Sequence, residues 1–249
     1  MQRYWLLLFG WLSATSLFAQ KIHAHNDYVQ PKPFVNAYAH KADFIEADVW
    51  VQNGKLVVSH DKPGPNAPTL DSLYLKPIAA LFAQHNGKVS ADRDYTFGLM
   101  IDVKDDPTVA LPKLIDMLQA NLVSFNRNAN ASAVQVIISG NRPRPDKFLD
   151  YPLLQFDGRP SEVYDQETLQ KVAMISDNLQ SYTRWNGTGD LSGEDRDKLK
   201  RVIKRAHSDG KPVRLWAIPD QPDAWKTLKK LGVDIINTDR VAEATTALR

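Results

Sequence analysis

The stretch "FIEADVWVQNGKLVVSH", Phe44 to His60, decides how this chain folds. Asn53-Gly54 sits between two β-prone runs and is the strongest short-range hairpin signal, because a tight I′ turn needs two residues that tolerate positive φ. "KLVVSH" is therefore expected to fold back antiparallel on "FIEADVWV". This matters because the chain offers nine strand-like runs. The remaining seven are "KIHAH", "FGLMIDVK", "AVQVIISG", "PLLQF", "VAMIS", "VRLWAI" and "VDIINT". With the hairpin arm set aside, eight staves are left.

Helical periodicity fills the gaps, at Leu70 to Gln84, Val109 to Phe125, Gly193 to Ser208 and Ala224 to Leu231. Nearly continuous Val/Ile/Leu strands alternating with helices indicate a parallel sheet buried on both faces. Eight such staves in 249 residues predict an α/β fold of the (β/α)8 TIM-barrel type. A doubly wound open sheet is the alternative, but no glycine-rich phosphate loop follows an early strand. No linker or second core interrupts the pattern, so residues 20–249 are read as a single domain.

Composition removes several functions. The 31 basic and 29 acidic residues leave a net charge of +2, with no basic stripe, which argues against nucleic acid as a partner. The absence of cysteine excludes disulfides, thiolate metal sites and cysteine nucleophiles. Residues 1–19 carry Arg3, then an apolar run from Tyr4 to Leu12 and small residues after it. They read as a signal peptide, too short in its apolar part for a membrane span, and imply a secreted or periplasmic protein.

In a TIM barrel the chemistry sits at the carboxyl ends of the strands. The polar residues there are His25, Asn26 and Asp27, then Glu46 and Asp48, then Asp102 and Lys104. Ser139, Asn141, Trp216, Thr238 and Asp239 follow on later staves. Glu46 and Asp48 lie two apart and leave the same face of their strand; Asp102 and Lys104 repeat that spacing on the next stave. Three converging carboxylates repel unless protonated or neutralised, and all-oxygen ligation suits one divalent cation, Mg²⁺ or Ca²⁺, rather than zinc. Lys104 offers a point charge to a phosphate oxygen. His60 closes the hairpin arm. A three-residue loop would set it opposite Asp48, and a strict two-residue turn would set it opposite Ala47, on the other face. His25 and His60 together could exchange the roles of general base and general acid.

Taken in order, "HAHND", "IEADV", "LVVSHD", "MIDVK", "VRLWAI" and "LGVDIINTD" resemble the phospholipase C-like phosphodiesterases. Within them the resemblance is to the glycerophosphodiester phosphodiesterase branch and its sphingomyelinase D-like relatives. It covers nearly the whole chain beyond residue 20. It implies a TIM-barrel phosphodiesterase with His25 and His60 as catalytic residues and Glu46, Asp48 and Asp102 as metal ligands. It also implies that Lys104, with Asn26 and Trp216, contacts the phosphate or the substrate. The implied partner is a small-molecule or lipid phosphodiester, met by a monomer with transient contact to a membrane surface.

The sequence also departs from that pattern. The glycerophosphodiesterases follow their first histidine with Arg-Gly and then a Pro-Glu-Asn-Thr motif, whereas His25 is followed by Asn26-Asp27, and no glutamate follows Pro31 or Pro33. A phosphate-binding arginine and one glutamate are missing, and Asp102 stands where a glutamate is usual. His23 points inward like His25 but deeper, and is read as a supporting or core histidine. Two rival functions stand beside this one, and the first shares its opening His-x-His. A zinc amidohydrolase would need more strand-end histidines than the chain supplies. A secreted lipid- or sugar-binding barrel without activity is the other rival.

Overall fold

The computed structural model describes residues 20–249, so the segment read as a signal peptide lies outside the described residues. The strands are β1 (Lys21–Ala24), β2 (Phe44–Gln52), β3 (Lys55–Val58), β4 (Gly98–Val103), β5 (Gln135–Gly140), β6 (Leu154–Gly158), β7 (Val172–Asn178), β8 (Val213–Trp216) and β9 (Ile235–Thr238). They order as β1-β9-β8-β7-β6-β5-β4-β2-β3, and β1 also pairs with β2. That pairing, His23 against Phe44, closes eight parallel staves into a barrel. β3 is the ninth strand, antiparallel to β2 and outside the ring. The barrel expected from the sequence is the barrel observed.

The helices between staves are α1 (Val35–Ala39), α2 (Lys76–Gln84), α3 (Pro107–Gln119), α4 (Leu122–Phe125), α5 (Gln166–Gln170), α6 (Gly193–Ser208), α7 (Pro222–Leu231) and α8 (Val241–Leu248). α6 shows why its ends fall where they do. Ser192 caps it by accepting from the Asp195 N–H at 3.1 Å, and Glu194 and Asp195 sit in its first turn, favoured by the helix dipole. The main core lies between staves and helices. A second, smaller cluster of Phe44, Met100, Ile137, Met174 and Ile235 fills the bottom of the barrel interior. Each of these residues is two positions before a polar one on its stave, so the strand period lifts Glu46, Asp102, Ser139, Ser176 and Asn237 into the layer above. The apolar plug thus forms the floor on which the polar site stands.

The hairpin resolves the register left open by the sequence. Val49 pairs with Val58 and Gln52 with Lys55, so the loop is the two residues Asn53 and Gly54, with φ of 50° and 75°. Extending that register would place His60 opposite Ala47, yet the ladder ends first. The Ser59 N–H donates to the Asp48 carbonyl at 3.1 Å, and the Trp50 indole N–H donates to the Ser59 carbonyl at 3.0 Å. His60 lies beyond this anchor, free of the in/out rule.

Candidate active site

A cavity of about 440 Å³ opens at the carboxyl ends of the staves. The residues given a catalytic, metal or substrate role from the sequence all line it: His25, His60, Glu46, Asp48, Asp102, Lys104, Asn26 and Trp216. Of the other strand-end polar residues, Ser139 and Asn141 line it too, and Asp27, Thr238 and Asp239 do not. Ligand oxygens of Glu46, Asp48 and Asp102 lie within 4.8 Å of one another. Parallel registry sets this up, because Asp48 pairs directly with Asp102.

Each carboxylate is tied by one oxygen. Glu46 Oε2 lies 2.5 Å from His23 Nε2 and accepts from Arg214 Nη1 at 3.2 Å. Asp48 Oδ2 stands 2.8 Å from the Tyr28 hydroxyl and 2.9 Å from Lys104 Nζ. Asp102 Oδ1 is 3.0 Å from the same ammonium. Asp48 Oδ1 is buried without a hydrogen-bond partner. A buried oxygen left unpaired is costly, and a hard cation would satisfy it. The donor set fits Mg²⁺ or Ca²⁺ on chemical grounds.

The charges respond to this crowding. Burial, then the charge of Glu46, pushes Asp48 up to about 6 against the pull of Lys104. Burial and Glu46 also raise Asp102. Burial opposes the charged form of Glu46 most strongly, but the His23 hydrogen bond and the Arg214 guanidinium outweigh it and hold the group well below the usual carboxylate range. Burial, then Arg214, lowers His23 to about 4, so this ring is neutral near pH 7 and its Nδ1 is buried without a partner.

His25 differs from His23 although both point inward. Its Nδ1 lies 2.7 Å from Asp239 Oδ1, which directs Nε2 away from that carboxylate. Burial works against its charged form, yet the Asp239 hydrogen bond and the charges of Glu46 and Asp239 raise its pKa. His60 stands on the rim with its side chain 62% exposed and Nδ1 3.1 Å from Asp61. Asp27, the third polar residue of the first loop, faces away from the cavity. It accepts from the Phe34 N–H at 2.6 Å and the Tyr74 hydroxyl at 2.9 Å, pinning the loop that carries Asn26 and Tyr28.

The sequence reading missed a cationic group on the opposite wall. Arg214 is buried and donates to Ser176 and Asp157 as well as Glu46. Asp157 also pairs with Arg159 at 2.9 Å, and both guanidiniums line the cavity. The signal was present: Arg214 precedes Trp216 by two within an apolar strand, so both face inward. Tyr28 and Asp239 were likewise given no role. Among the described residues, the grouped ligand atoms are all carboxylate oxygens. His23 and His25 turn to Glu46 and Asp239, which disfavours the zinc amidohydrolase reading.

Residues 13–144 match the AIM6-like phosphodiesterase domain, and residues 212–242 match the glycerophosphoryl diester phosphodiesterase family. "Altered inheritance of mitochondria protein 6" of Eremothecium gossypii is 28% identical, over 88% of this chain and 67% of that one. Its homolog from Arthroderma benhamiae is also 28% identical, over 90% of this chain and 82% of the relative. The Saccharomyces cerevisiae protein of the same name is 24% identical, over 91% and 70%. Among solved structures, a glycerophosphodiester phosphodiesterase from Parabacteroides distasonis superposes with a TM-score of 0.58 at 15% identity, covering 93% of this chain and 97% of its own. A calcium-dependent phosphoinositol-specific phospholipase C from Pseudomonas sp. gives 0.55 at 14%, covering 92% and 93%. At such identities these two show the fold alone. The relatives correct one expectation. A secreted or periplasmic location does not stand beside fungal proteins named for the inheritance of mitochondria, and the segment that suggested it lies outside the described residues.

Proposed function

The chain belongs to the AIM6-like phosphodiesterase domain family, within the phospholipase C-like phosphodiesterase superfamily, and from that premise we propose that it cleaves a glycerophosphodiester- or phospholipid-type phosphodiester by His/His acid-base catalysis. The observation that carries the reading is Asp48, tied through Oδ2 by Tyr28 and Lys104 while Oδ1 stays buried and unpaired in the cavity that His25 and His60 line. A divalent cation held there by Glu46, Asp48 and Asp102 would supply polarisation of a phosphoryl oxygen and offset the charge of the transition state.

The chain's own residues do the rest. Lys104 holds a non-bridging phosphate oxygen as a point charge. Asp239 accepts from His25 Nδ1–H and fixes the tautomer, so Nε2 carries the lone pair that takes a proton from the attacking hydroxyl. Water as that nucleophile gives hydrolysis; a neighbouring hydroxyl of the substrate gives a cyclic phosphate. His60, on the open rim, returns a proton to the leaving alkoxide. Trp216 walls the organic part of the substrate, and Asn26 shapes the mouth beside His25. Arg159 and Arg214 add positive charge to a site without the arginine that glycerophosphodiesterases carry after their first histidine.

The test is turnover of a panel of glycerophosphodiesters, lysophospholipids and diacyl phospholipids with Mg²⁺, Ca²⁺ and chelator. Metal-dependent release of a phosphomonoester or cyclic phosphate, abolished in His25→Ala and His60→Ala, is expected. Turnover that both variants keep in full overturns the proposal.

A further inference from the structure

β5 ends at Gly140 with φ of 66°. Gly187 is as closely crowded, but by the side chains of Gln221 and Pro219, whereas a backbone carbonyl and a carboxylate of the site crowd Gly140. A β-carbon there would stand 2.3 Å from Asp102 Oδ1, 3.0 Å from Asp102 Cγ and 2.6 Å from the Val103 carbonyl oxygen. The carbonyl cannot withdraw, because it belongs to the barrel wall and accepts from the Asn141 N–H at 2.7 Å. The carboxylate cannot withdraw without leaving Lys104. Gly87 and Gly210 have similar positive φ, but a β-carbon on either would meet nothing within 4 Å, so in them the backbone alone calls for glycine.

Asn141 continues the grip. Its Nδ2 donates to the carbonyls of Lys104 at 3.2 Å and Asp105 at 3.3 Å. The last residue of β5 and the one after it therefore hold four successive residues at and just past the end of β4: Asp102 by close approach, Val103 by a backbone hydrogen bond, and Lys104 and Asp105 by the amide. We propose that Gly140 and Asn141 are positioning residues for the cation site: Gly140 leaves the space that Asp102 occupies, and Asn141 fixes the backbone that carries Lys104. The inference rests on the cation reading above, and acts through residues that would meet the cation and the phosphate rather than by touching either.

The test uses metal-stripped full-length protein titrated with Mn²⁺, Mg²⁺ and Ca²⁺ alone, beside thermal unfolding. Gly140→Ala is expected to weaken cation affinity by roughly tenfold or more, since relieving the 2.3 Å approach forces Asp102 to move in a site that must be held to within about half an ångström. Gly210→Ala is the control: it suffers the same backbone strain and should lose stability while keeping wild-type affinity. Asn141→Ala should weaken affinity severalfold. Gly140→Ala binding like wild type overturns the positioning role. Should Gly140→Ala fail to fold, Asn141→Ala decides, and wild-type affinity in it overturns the proposal. A wild-type protein that binds none of the three ions overturns the cation reading and this inference with it.

Discussion

The Tyr28 hydroxyl stands 2.8 Å from Asp48 Oδ2, while the other oxygen of that carboxylate is buried with no partner. Tyr28 and Lys104 thus hold one edge of Asp48 and leave the other without a hydrogen bond, in the group of carboxylates that Glu46 and Asp102 complete. Removing the hydroxyl deletes a hydrogen bond to a charged acceptor, worth about 1.5 to 3 kcal/mol. Tyr28→Phe should therefore weaken cation affinity roughly tenfold or more while the protein stays folded. Calorimetric titration with Mg²⁺ or Ca²⁺ measures it, and an unchanged dissociation constant would show that Tyr28 serves packing only.

Protons should compete with the cation at the same carboxylate. Burial and the Glu46 charge raise Asp48 to about 6, and a ligand must be deprotonated to bind. Below that pH the free protein carries a proton there which binding must release. Cation affinity should be level above pH 7 and fall by about tenfold per pH unit below about 6. Titration in two buffers of different ionisation heat would count the proton. Release of none at pH 5.5 would be incompatible with this assignment.

His23 makes stability depend on pH with a definite sign. Burial and Arg214 lower it from 6.5 to about 4, so between those values the unfolded chain binds the proton and the folded chain does not. Stability contributed by the neutral ring is full above about 6.5 and is lost as pH falls toward 4, in total about 3 kcal/mol. Denaturant midpoints measured from pH 7.5 to 4.5 should drop for wild type and drop less for His23→Gln. Parallel curves for the two proteins would remove His23 as the cause.

Most of the architecture was legible because its signals are local. Asn53-Gly54 marked the hairpin that separates eight staves from nine, and the two-residue spacing of Glu46 with Asp48 and of Asp102 with Lys104 placed them on one face. What stayed hidden depends on pairing between distant strands. Arg214 meets His23 across 191 positions of sequence at 2.9 Å, and only the closed ring brings β8 and β1 to opposite sides of one stave. His60 shows the complementary limit. The hairpin register is two-residue and would turn it outward, but the strand stops at Val58, and a residue past the ladder takes its direction from loop anchors such as Trp50 to Ser59. Gly140 is legible only in space, since its neighbour Asp102 sits on another stave.

The last prediction separates the two histidines of the cavity from the one beneath it. Asp239 lies 2.7 Å from His25 Nδ1 and, against the effect of burial, helps to raise its pKa. If His25 is the base, it works only when deprotonated, so the acid limb of kcat/KM follows its pKa. Asp239→Asn removes the charge that favours the imidazolium. The limb should then move to lower pH, and kcat should fall because the developing imidazolium loses its partner. A limb that moves to higher pH, or stays in place, would take the base role from His25. His25→Ala and His60→Ala should each lose on the order of 10²- to 10⁴-fold in turnover with cation affinity nearly kept. The double variant should be scarcely worse than either single one, because groups acting in one step are not additive. His23→Gln should instead reduce turnover together with cation affinity, since Glu46 loses the contact at its tied oxygen. A His23 variant that loses turnover alone, beside a His25 variant that keeps it, would exchange the two assignments.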